Sequence, residues 1–291
     1  MPDLKIPGIV INLENRFPNG EEKNILLVIQ RGEVYMCQLL GMNCNVPTDI
    51  CFSFQGFCAR GGKTDHHQDG WGIAFFEGSG CRIFLDDKPA AQSRVAELVR
   101  QYPIRSTHVI AHIRKASVGR VSIENCHPFQ RELWGRHWVL AHNGDLEKFE
   151  PAFKGDYRPV GQTDSERAFC YILEALKREF PSSKPAPEKL YKTLSAITLE
   201  IAAYGTFNYL LSDGESFFAH CATKLAYLVR EAPFAAAHLI DEDIAVNFQE
   251  MTAPSDRVAI VATTPLTDNE AWIIMKPGQL MAFQNGQPVK T

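Results

Sequence analysis

Hydrophobic and polar positions along this chain follow two different regimes that meet near position 36. Residues 1–36 mix prolines and glycines with scattered charge and show no sustained hydrophobic period. From Met36 onward, short apolar runs of strand length occur together with segments whose apolar residues recur at helical spacing. The runs that predict strands are 37–42, 71–76, 81–85, 107–113, 138–142, 206–212, 216–220, 226–230, 257–262, 271–275 and 280–283.

Helical periodicity predicts four helices, over 49–60, 92–101, 163–180 and 187–204. Thr48 or Asp49 is expected to cap the first helix, and Gly61-Gly62 is expected to end it. The third helix opens with Thr-Asp-Ser-Glu at 163–166, which is the pattern of a capping box.

The order of these elements is strands, then a helix pair, then strands. Alternating βαβ units would predict a doubly wound parallel sheet, and this order lacks that alternation. Two antiparallel sheets with helices on their outer faces account for it better. Since no linker-like stretch divides residues 37–291, we expect one α+β domain there, preceded by an N-terminal extension over residues 1–36.

Composition narrows the function classes. The 291 residues are 45% hydrophobic and 22% charged with a net charge of −4, which disfavours a nucleic-acid binder. No run of 18 apolar residues exists, and the longest apolar run near the N-terminus, Ile25 to Ile29, is too short for a signal-peptide core. We therefore expect no membrane partner and a cytoplasmic location. The eight cysteines are expected to be free thiols, and the lack of any C-x-x-C pair argues against a zinc site. We expect no metal and no cofactor.

Chemically unusual residues concentrate in four short segments at the ends of predicted elements. These segments are Met36-Cys37 and the runs 111–114 (AHIR), 141–144 (AHNG) and 162–165 (QTDS). Further segments of this kind lie at 69–72 (DGWG), 124–129 (ENCHPF) and 207–214 (FNYLLSDG). In this set and order they resemble the glutamine amidotransferase domain of the class-II, N-terminal-nucleophile (Ntn) type, in particular its stand-alone bacterial YafJ-like members. The resemblance covers residues 36–291 and implies a four-layer αββα Ntn-hydrolase sandwich of two antiparallel sheets, in agreement with the element order.

The resemblance implies that Cys37 is a catalytic nucleophile and that its own α-amino group is the base. A thiol of ordinary pKa, about 8.5, is only a few per cent thiolate at neutral pH and needs such a base. Asn143 and Gly144 would form the oxyanion hole, in which each donor stabilises the developing charge by roughly 3–4 kcal/mol. Taken alone, Cys37 also fits a small buried strand residue, and Asn143-Gly144 fits a tight hairpin turn.

Arg114 and Asp164 would hold the amino-acid end of the substrate. Arg114 can bind a carboxylate through two parallel hydrogen bonds, and Asp164 can pair with an ammonium group. Ser117 and His127 match positions that line the family's pocket. Outside the resemblance, Arg114 fits a surface loop, Asp164 fits a helix cap and His127 fits a structural histidine.

The remaining residues of the matching segments have two interpretations each. His112 and His142 fit structural histidines as well as pocket residues. Asp69 and Trp71 are expected to shape the pocket wall, and Trp71 is equally consistent with the core.

The position of Cys37 departs from the family, because a cysteine at position 37 has no free amine. Residues 1–36 could be a propeptide that is removed, or translation could begin at Met36, or the extension could stay and the protein be inactive. We expect the second case, a mis-assigned start. Codons for Arg31-Gly32-Glu33 can be purine-rich and contain a ribosome-binding sequence shortly before Met36.

The resemblance implies cleavage of the γ-carboxamide of glutamine through a γ-glutamyl thioester. Residues 37–291 would be used up by this domain, so the ammonia would pass to a separate synthase partner or to none. Stand-alone relatives also hydrolyse γ-glutamyl amides of larger amines, which is an open alternative substrate. The alternative from another class is a catalytically silent glutamine sensor or partner subunit. A Cys–His protease fits less well, because the terminal amine already supplies a base.

Overall fold

The computed structural model describes residues 9–16, 22–29, 37–116 and 119–289. The chain divides into two compact units, Met1–Tyr35 and Met36–Thr291. In the first unit, strands β1 (Ile9–Arg16) and β2 (Glu22–Ile29) form an antiparallel pair with Ile9 opposite Ile29. The sequence interpretation missed both strands, because their short apolar runs stand among prolines and glycines that suggested no element.

The second unit contains the strands and helices that build the main fold. The strands are β3 (Gln38–Thr48), β4 (Trp71–Glu77), β5 (Gly80–Asp86), β6 (Ser106–Ile113), β7 (Phe129–Leu133), β8 (Arg136–Asn143), β9 (Asn208–Ser212), β10 (Phe217–Cys221), β11 (Ala226–Glu231), β12 (Ala236–His238), β13 (Ala245–Asn247), β14 (Arg257–Ala262), β15 (Ile273–Ile274), β16 (Gln279–Gln284) and β17 (Gln287–Val289). The helices are α1 (Cys51–Ala59), α2 (Arg94–Gln101), α3 (Asp164–Glu179) and α4 (Pro187–Ala202). Within the described residues, none of these helices is both long enough and apolar enough to span a bilayer.

Two large sheets carry most of the strands. One has seven strands in the order β15-β11-β14-β3-β6-β4-β5, and the other has six in the order β17-β16-β10-β9-β8-β7. Strands β12 and β13 form a separate pair. Every strand pair in the described part of the chain is antiparallel.

Alternate residues of the central strands face opposite layers, and this builds the sandwich. Leu39 and Val139 belong to the apolar cluster shared by the two sheets. Their chain neighbours face outward: Leu40 lies in the cluster that includes α1 and α2, and Leu140 in the one that includes α3 and α4. Both sheets are thus buried on both faces, which explains their continuous apolar runs. The predicted four-layer αββα sandwich is confirmed.

Several predicted element bounds differ from the structure. The first helix begins after Ile50, and Asp49 contributes by accepting the Cys51 N–H at 3.1 Å, whereas the Thr48 hydroxyl bonds the Val46 carbonyl instead. The predicted strand over 271–275 shrinks to β15. Strands β7, β12, β13 and β17 were missed, because the three-residue strands carry too few positions for a period to be visible and β7 (FQREL) has a polar centre instead of an apolar run.

The predicted capping box at the start of α3 is only half formed. Thr163 is the N-cap, and its hydroxyl accepts the Glu166 N–H at 3.2 Å. The buried Glu166 carboxylate does not return to the cap residue. It accepts the N–H groups of Val160 (3.0 Å) and Gly161 (2.7 Å) and pairs with Arg131. Glu166 therefore ties the loop before α3 to strand β7.

The Glu166 contacts lead to a stability prediction. Glu166→Ala leaves two backbone N–H groups and one guanidinium without their carboxylate, so we expect the free energy of unfolding to fall by about 1.5–3 kcal/mol in urea titrations. The matched control is Glu150→Ala. Glu150 is 72% exposed and pairs with Arg167, which lies on α3 next to Glu166. That change should cost less than about 1 kcal/mol. Equal losses in the two variants would contradict a special role for Glu166.

Candidate functional site

Antiparallel pairing of β3 with β6 brings two of the predicted site residues to one edge of the seven-stranded sheet. Gln38, the first residue of β3, lies opposite Ile113, the last residue of β6. Cys37 directly precedes Gln38, and Arg114 directly follows Ile113. The thiol and the guanidinium therefore leave the sheet from neighbouring positions, although 77 residues separate them in the chain.

The Cys37 thiol lies against the backbone of the segment that follows β6. Its Sγ is 3.3 Å from the Lys115 carbonyl oxygen, and the Lys115 N–H donates to Sγ at 3.1 Å. Burial raises the pKa of Cys37 to about 11, although the Lys115 N–H and the nearby Arg114 guanidinium both lower it. In this chain the thiol is therefore protonated at neutral pH, and a base is needed for it to react.

Asn143 is the last residue of β8 in the six-stranded sheet, and its side chain reaches across to Cys37, directly before β3 of the other sheet. Its Nδ2 donates to the Cys37 carbonyl oxygen and is 3.4 Å from the Thr263 hydroxyl. Its own carbonyl accepts a hydrogen bond from Asn208 Nδ2 at 3.0 Å. The structure therefore brings Cys37 and Asn143 together, and the fully buried Asn208 fixes the backbone of Asn143 from behind.

Gly144 has a backbone conformation that only glycine adopts easily. Its φ is +150°, and an added Cβ would lie 1.9 Å from the Thr206 carbonyl oxygen. The turn alternative is wrong: β8 pairs with β9, which begins at Asn208, so Asn143-Gly144 does not join two paired strands in a hairpin. The glycine permits close backbone packing directly after Asn143.

Arg114 is buried and already bonded to backbone carbonyls. Its guanidinium donates to the carbonyl oxygens of Arg120 at 2.9 Å and Gly119 at 3.4 Å. Its backbone N–H donates to the Gly70 carbonyl oxygen at 2.8 Å. The alternative of a solvent-exposed surface arginine does not fit this burial. Carboxylate binding by Arg114 stays a prediction.

Asp164 is the first residue of α3 and lies beside the loop that follows Asn143-Gly144. Its Oδ2 accepts the Leu146 N–H at 2.7 Å, two residues beyond Gly144. Thr163 is the N-cap, and Asp164 follows it in the first turn, which fits an aspartate inside a helix cap. The carboxylate is thus held by the loop that follows β8, which leaves its pairing with an ammonium group a prediction.

Ser117, the other predicted binding hydroxyl, lies outside the described residues. The Asp69 carboxylate accepts the N–H of Ala116, the residue directly before Ser117, at 2.8 Å. Trp71 is fully buried in the core between the seven-stranded sheet and its helices, so the core interpretation of Trp71 is confirmed.

The histidines of the matching segments are buried and neutral. The rings of His112 and His127 contact each other in a tilted arrangement with centroids 4.1 Å apart, and His127 also contacts Phe129. Burial keeps the pKa of both histidines well below the usual value, and Arg114 adds a further repulsion. His142 donates from Nε2 to the Thr206 carbonyl oxygen at 3.0 Å and bonds Ser165 at 2.8 Å. These contacts match the structural interpretation, and pocket lining by His127 stays a prediction.

Sequence reasoning missed Arg60, which lies at the C-terminal end of α1. This buried guanidinium bonds Asp241 at 2.8 Å, the Thr264 hydroxyl at 2.7 Å and the Pro265 carbonyl oxygen at 2.6 Å. It also reaches Gln38 at 3.5 Å, next to Cys37. In the sequence, an arginine before two glycines is indistinguishable from a solvated helix end, so periodicity could not reveal it.

A large cavity of the described chain lies away from these residues. It has a volume of about 560 Å³ and is bounded by residues along the far half of β3, by the start of α1 and by Phe248. None of the predicted site residues lines it. Among the described residues, no group of three or more His, Cys, Asp or Glu side chains is arranged to hold a metal ion.

Known proteins are similar to the part of the chain that contains these residues. A family model described as class-II glutamine amidotransferases matches residues 36–291. The Escherichia coli K12 protein YafJ, which carries the name of a glutamine amidotransferase, is 49% identical over 254 residues, covering 87% of this chain and 100% of YafJ. A Haemophilus influenzae protein with a similar name is 51% identical, covering 87% of this chain and 86% of that protein.

A solved structure from Pseudomonas aeruginosa PA01, described as a predicted glutamine amidotransferase, is also similar. It superposes with a TM-score of 0.71 at 43% identity, and the match covers 88% of this chain and 100% of that chain. The same two-sheet sandwich is therefore present in a protein of related sequence.

The buried histidines lead to a prediction about acid stability. Burial lowers the pKa of His108 to about 4 and also lowers the pKa of His112, His127, His142 and His220. In the unfolded chain each titrates near 6.5, so below that pH the unfolded state binds protons that the folded state does not. In urea titrations we expect the free energy of unfolding to decrease as the pH is lowered from about 6.5. The decrease should be up to about 1.4 kcal/mol per pH unit for each histidine.

Two variants separate this effect from general acid sensitivity. His112→Gln should show a shallower dependence between pH 6.5 and 5.5, because one proton fewer is taken up on unfolding. The control is His238→Gln, since hydrogen bonds to Asp268 and Asp243 raise the pKa of this exposed histidine and its loss should not make the dependence shallower. An unchanged pH dependence in His112→Gln would mean that His112 is protonated in the fold.

Proposed function

The chain belongs to the class-II glutamine amidotransferase family, and from that premise we propose that it hydrolyses a γ-glutamyl carboxamide with Cys37 as an N-terminal nucleophile. Hydrolysis of the glutamine amide in general follows from the family. The observation that carries the finer proposal is the hydrogen bond from Asn143 Nδ2 to the Cys37 carbonyl oxygen. This contact puts a side-chain amide donor against the same residue that carries the thiol, and an oxyanion needs such a donor close to the attacking sulfur.

The proposed reaction has two halves that balance in protons. In the first half, the Cys37 thiol proton moves to the residue's own α-amine, and the sulfur forms a bond to the γ-carbonyl carbon. The negative charge on the former carbonyl oxygen is held by the Asn143 amide and the Gly144 N–H. The C–N bond then breaks, the leaving nitrogen takes the proton and departs as ammonia, and a γ-glutamyl thioester remains. In the second half, water attacks the thioester with the amine as base, and glutamate and the thiol are released.

The α-amine is needed because the fold does not activate the thiol by itself. The pKa of Cys37 is raised to about 11 by burial. A terminal amine has an ordinary pKa of about 7.7–8.0, so near neutral pH part of it is unprotonated and can accept the thiol proton as the sulfur attacks. Proton transfer therefore accompanies the formation of the S–C bond. An amide nitrogen at position 37 could not accept that proton, so we propose that the working enzyme begins at Cys37, with residues 1–36 removed or never made.

Recognition of the glutamyl group is assigned to Arg114 and Asp164. Both are buried and of opposite charge, and both adjoin the segments that carry Cys37 and Asn143. Arg114 would bind the α-carboxylate in place of one of its present carbonyl partners, because a carboxylate is the stronger acceptor. Asp164 would pair with the α-ammonium group.

The leaving group and its destination follow from the same chemistry. Glutamine as substrate would release ammonia, and a separate synthase would be its acceptor. A γ-glutamyl amide of a larger amine would use the same glutamyl contacts and differ only beyond the scissile bond. Both substrates fit a domain whose described site residues recognise only the glutamyl part.

Steady-state kinetics test the assigned roles. In protein that begins at Cys37, Cys37→Ala should abolish glutamate release from glutamine and from a panel of γ-glutamyl amides. Asn143→Ala should lower kcat by about 10²–10³ with little change in KM, because it removes a donor used only in the transition state. Asp164→Asn keeps an oxygen for the Leu146 N–H and removes the charge, so it should mainly raise KM.

The control for the charge change is Asp156→Asn, since Asp156 is 62% exposed and pairs only with Lys177 among the described ion pairs. Turnover that survives Cys37→Ala, or an unchanged kcat in Asn143→Ala, would contradict the mechanism. Glutamine binding without any turnover or labelling by a glutamine-mimicking diazo-ketone would instead support the silent sensor.

The rate of Cys37 alkylation tests the role of the free amine. In the full chain a pKa of about 11 leaves roughly one thiolate in 10⁴ at pH 7, so iodoacetamide should label Cys37 slowly. In protein that begins at Cys37, the adjacent ammonium lowers the thiol pKa by about 1–3 units, so labelling at pH 7.5 should be at least about tenfold faster. Peptide mass spectrometry reports each site separately.

Cys81 is an internal reference in the same digest, because it is half-buried with a pKa raised to about 12 and should label equally in both proteins. Intact-mass measurement of protein from its native source identifies the first residue. Full activity in a chain that still begins at Met1 would refute the amine as base.

A further inference from the structure

Thr263 directly follows β14 and is tied to the nucleophile's strand through two hydrogen bonds. Its backbone N–H donates to the Leu39 carbonyl oxygen at 3.1 Å. Its hydroxyl oxygen accepts the Leu39 N–H at 2.9 Å. The side chain is buried, so water does not compete for these bonds. Thr263 therefore keeps a fixed position relative to the residues directly after Cys37.

The same hydroxyl oxygen is also an acceptor for Asn143, which comes from the other sheet. Asn143 Nδ2 is 3.4 Å from Thr263 Oγ1, and it also donates to the Cys37 carbonyl oxygen. The two N–H bonds of this amide are thus directed at Thr263 and at Cys37. The Asn143 Oδ1 atom is buried with no hydrogen-bond partner among the described residues. The orientation of the carboxamide therefore depends on the two contacts of its nitrogen.

We propose that Thr263 is a positioning residue that holds the Asn143 amide in place as an oxyanion donor, an inference that rests on the function proposed above. When negative charge develops on the substrate oxygen, one Asn143 N–H must turn toward it. The Cys37 carbonyl is the contact that is released, because a neutral carbonyl is a weaker acceptor than an oxyanion. Thr263 retains the second N–H, which limits how far the carboxamide rotates relative to β3 and so reduces the reorganisation that is needed.

Substitutions at Thr263 distinguish positioning from general support of the fold. Thr263→Val removes the hydroxyl at nearly constant volume, and Thr263→Ser restores an acceptor. The matched control is Thr198→Val in α4, since Thr198 is also buried and its hydroxyl bonds the Leu194 carbonyl and Tyr209 at 2.7 Å each. Both valine variants lose a buried hydroxyl, and urea titrations should show similar destabilisation, but only Thr263 touches Asn143.

The experiment measures kcat and KM for glutaminase activity in protein that begins at Cys37, the form proposed to be active, together with the rate of Cys37 labelling by a glutamine-mimicking diazo-ketone. Thr263→Val should lower kcat about tenfold, the loss expected for one neutral hydrogen bond, with KM nearly unchanged. Thr263→Ser should recover kcat to within about twofold, and Thr198→Val should match the wild type. The labelling rate should follow kcat across the series.

A double-mutant cycle with Asn143→Ala tests whether Thr263 acts through Asn143. In the Asn143→Ala background, Thr263→Val should lower kcat by less than about twofold further, because the group that Thr263 positions is gone. A full additional tenfold loss in that background, or a wild-type kcat in Thr263→Val, would overturn the role of Thr263 alone. A normal kcat in Asn143→Ala itself would overturn the proposed function instead.

Discussion

Face-to-face packing of two antiparallel sheets is the constraint on which the candidate site depends. Cys37 precedes β3 and Arg114 follows β6 in one sheet, whereas Asn143 ends β8 in the other. These strand ends meet because Leu39, Ile110 and Val139 share one apolar layer between the sheets. A one-residue slip of β3 would turn its buried faces over and move Cys37 away from Asn143. The hydrophobic register of the core thus sets the geometry of the polar site.

Burial near the site acts on proton equilibria in a consistent direction. It raises the pKa of Cys37 and lowers the pKa of His112, His127 and His142, so the thiol and these imidazoles are all uncharged near neutral pH. Because their pKa is lowered, these histidines are weak proton acceptors and poor candidates for the base that the thiol needs. A terminal amine on Cys37 itself would avoid this problem, because its ordinary pKa is about 7.7–8.0 and it lies next to the sulfur by covalent geometry.

Backbone atoms supply much of the rigidity around Asn143. Asn208 bonds the Asn143 carbonyl, and Gly144 packs directly against the Thr206 carbonyl. Asp164 accepts the Leu146 N–H from the start of α3. Because these contacts are made before any substrate arrives, little reorganisation is needed when charge develops, which is the condition for effective electrostatic stabilisation.

Sequence periodicity by itself determined the layered α+β sandwich, the four helices and most long strands, since apolar runs report burial directly. The segments around Cys37, Arg114, Asn143 and Asp164 were also found from sequence, through their resemblance to a family rather than through physics. Tertiary structure alone decided that Glu166 bonds Arg131 and the preceding loop instead of closing a capping box. It also decided the contacts of Arg60 and Thr263. Each of these side chains joins segments that are distant in sequence, and no local pattern of residues encodes which distant carbonyl or carboxylate a buried polar group will meet.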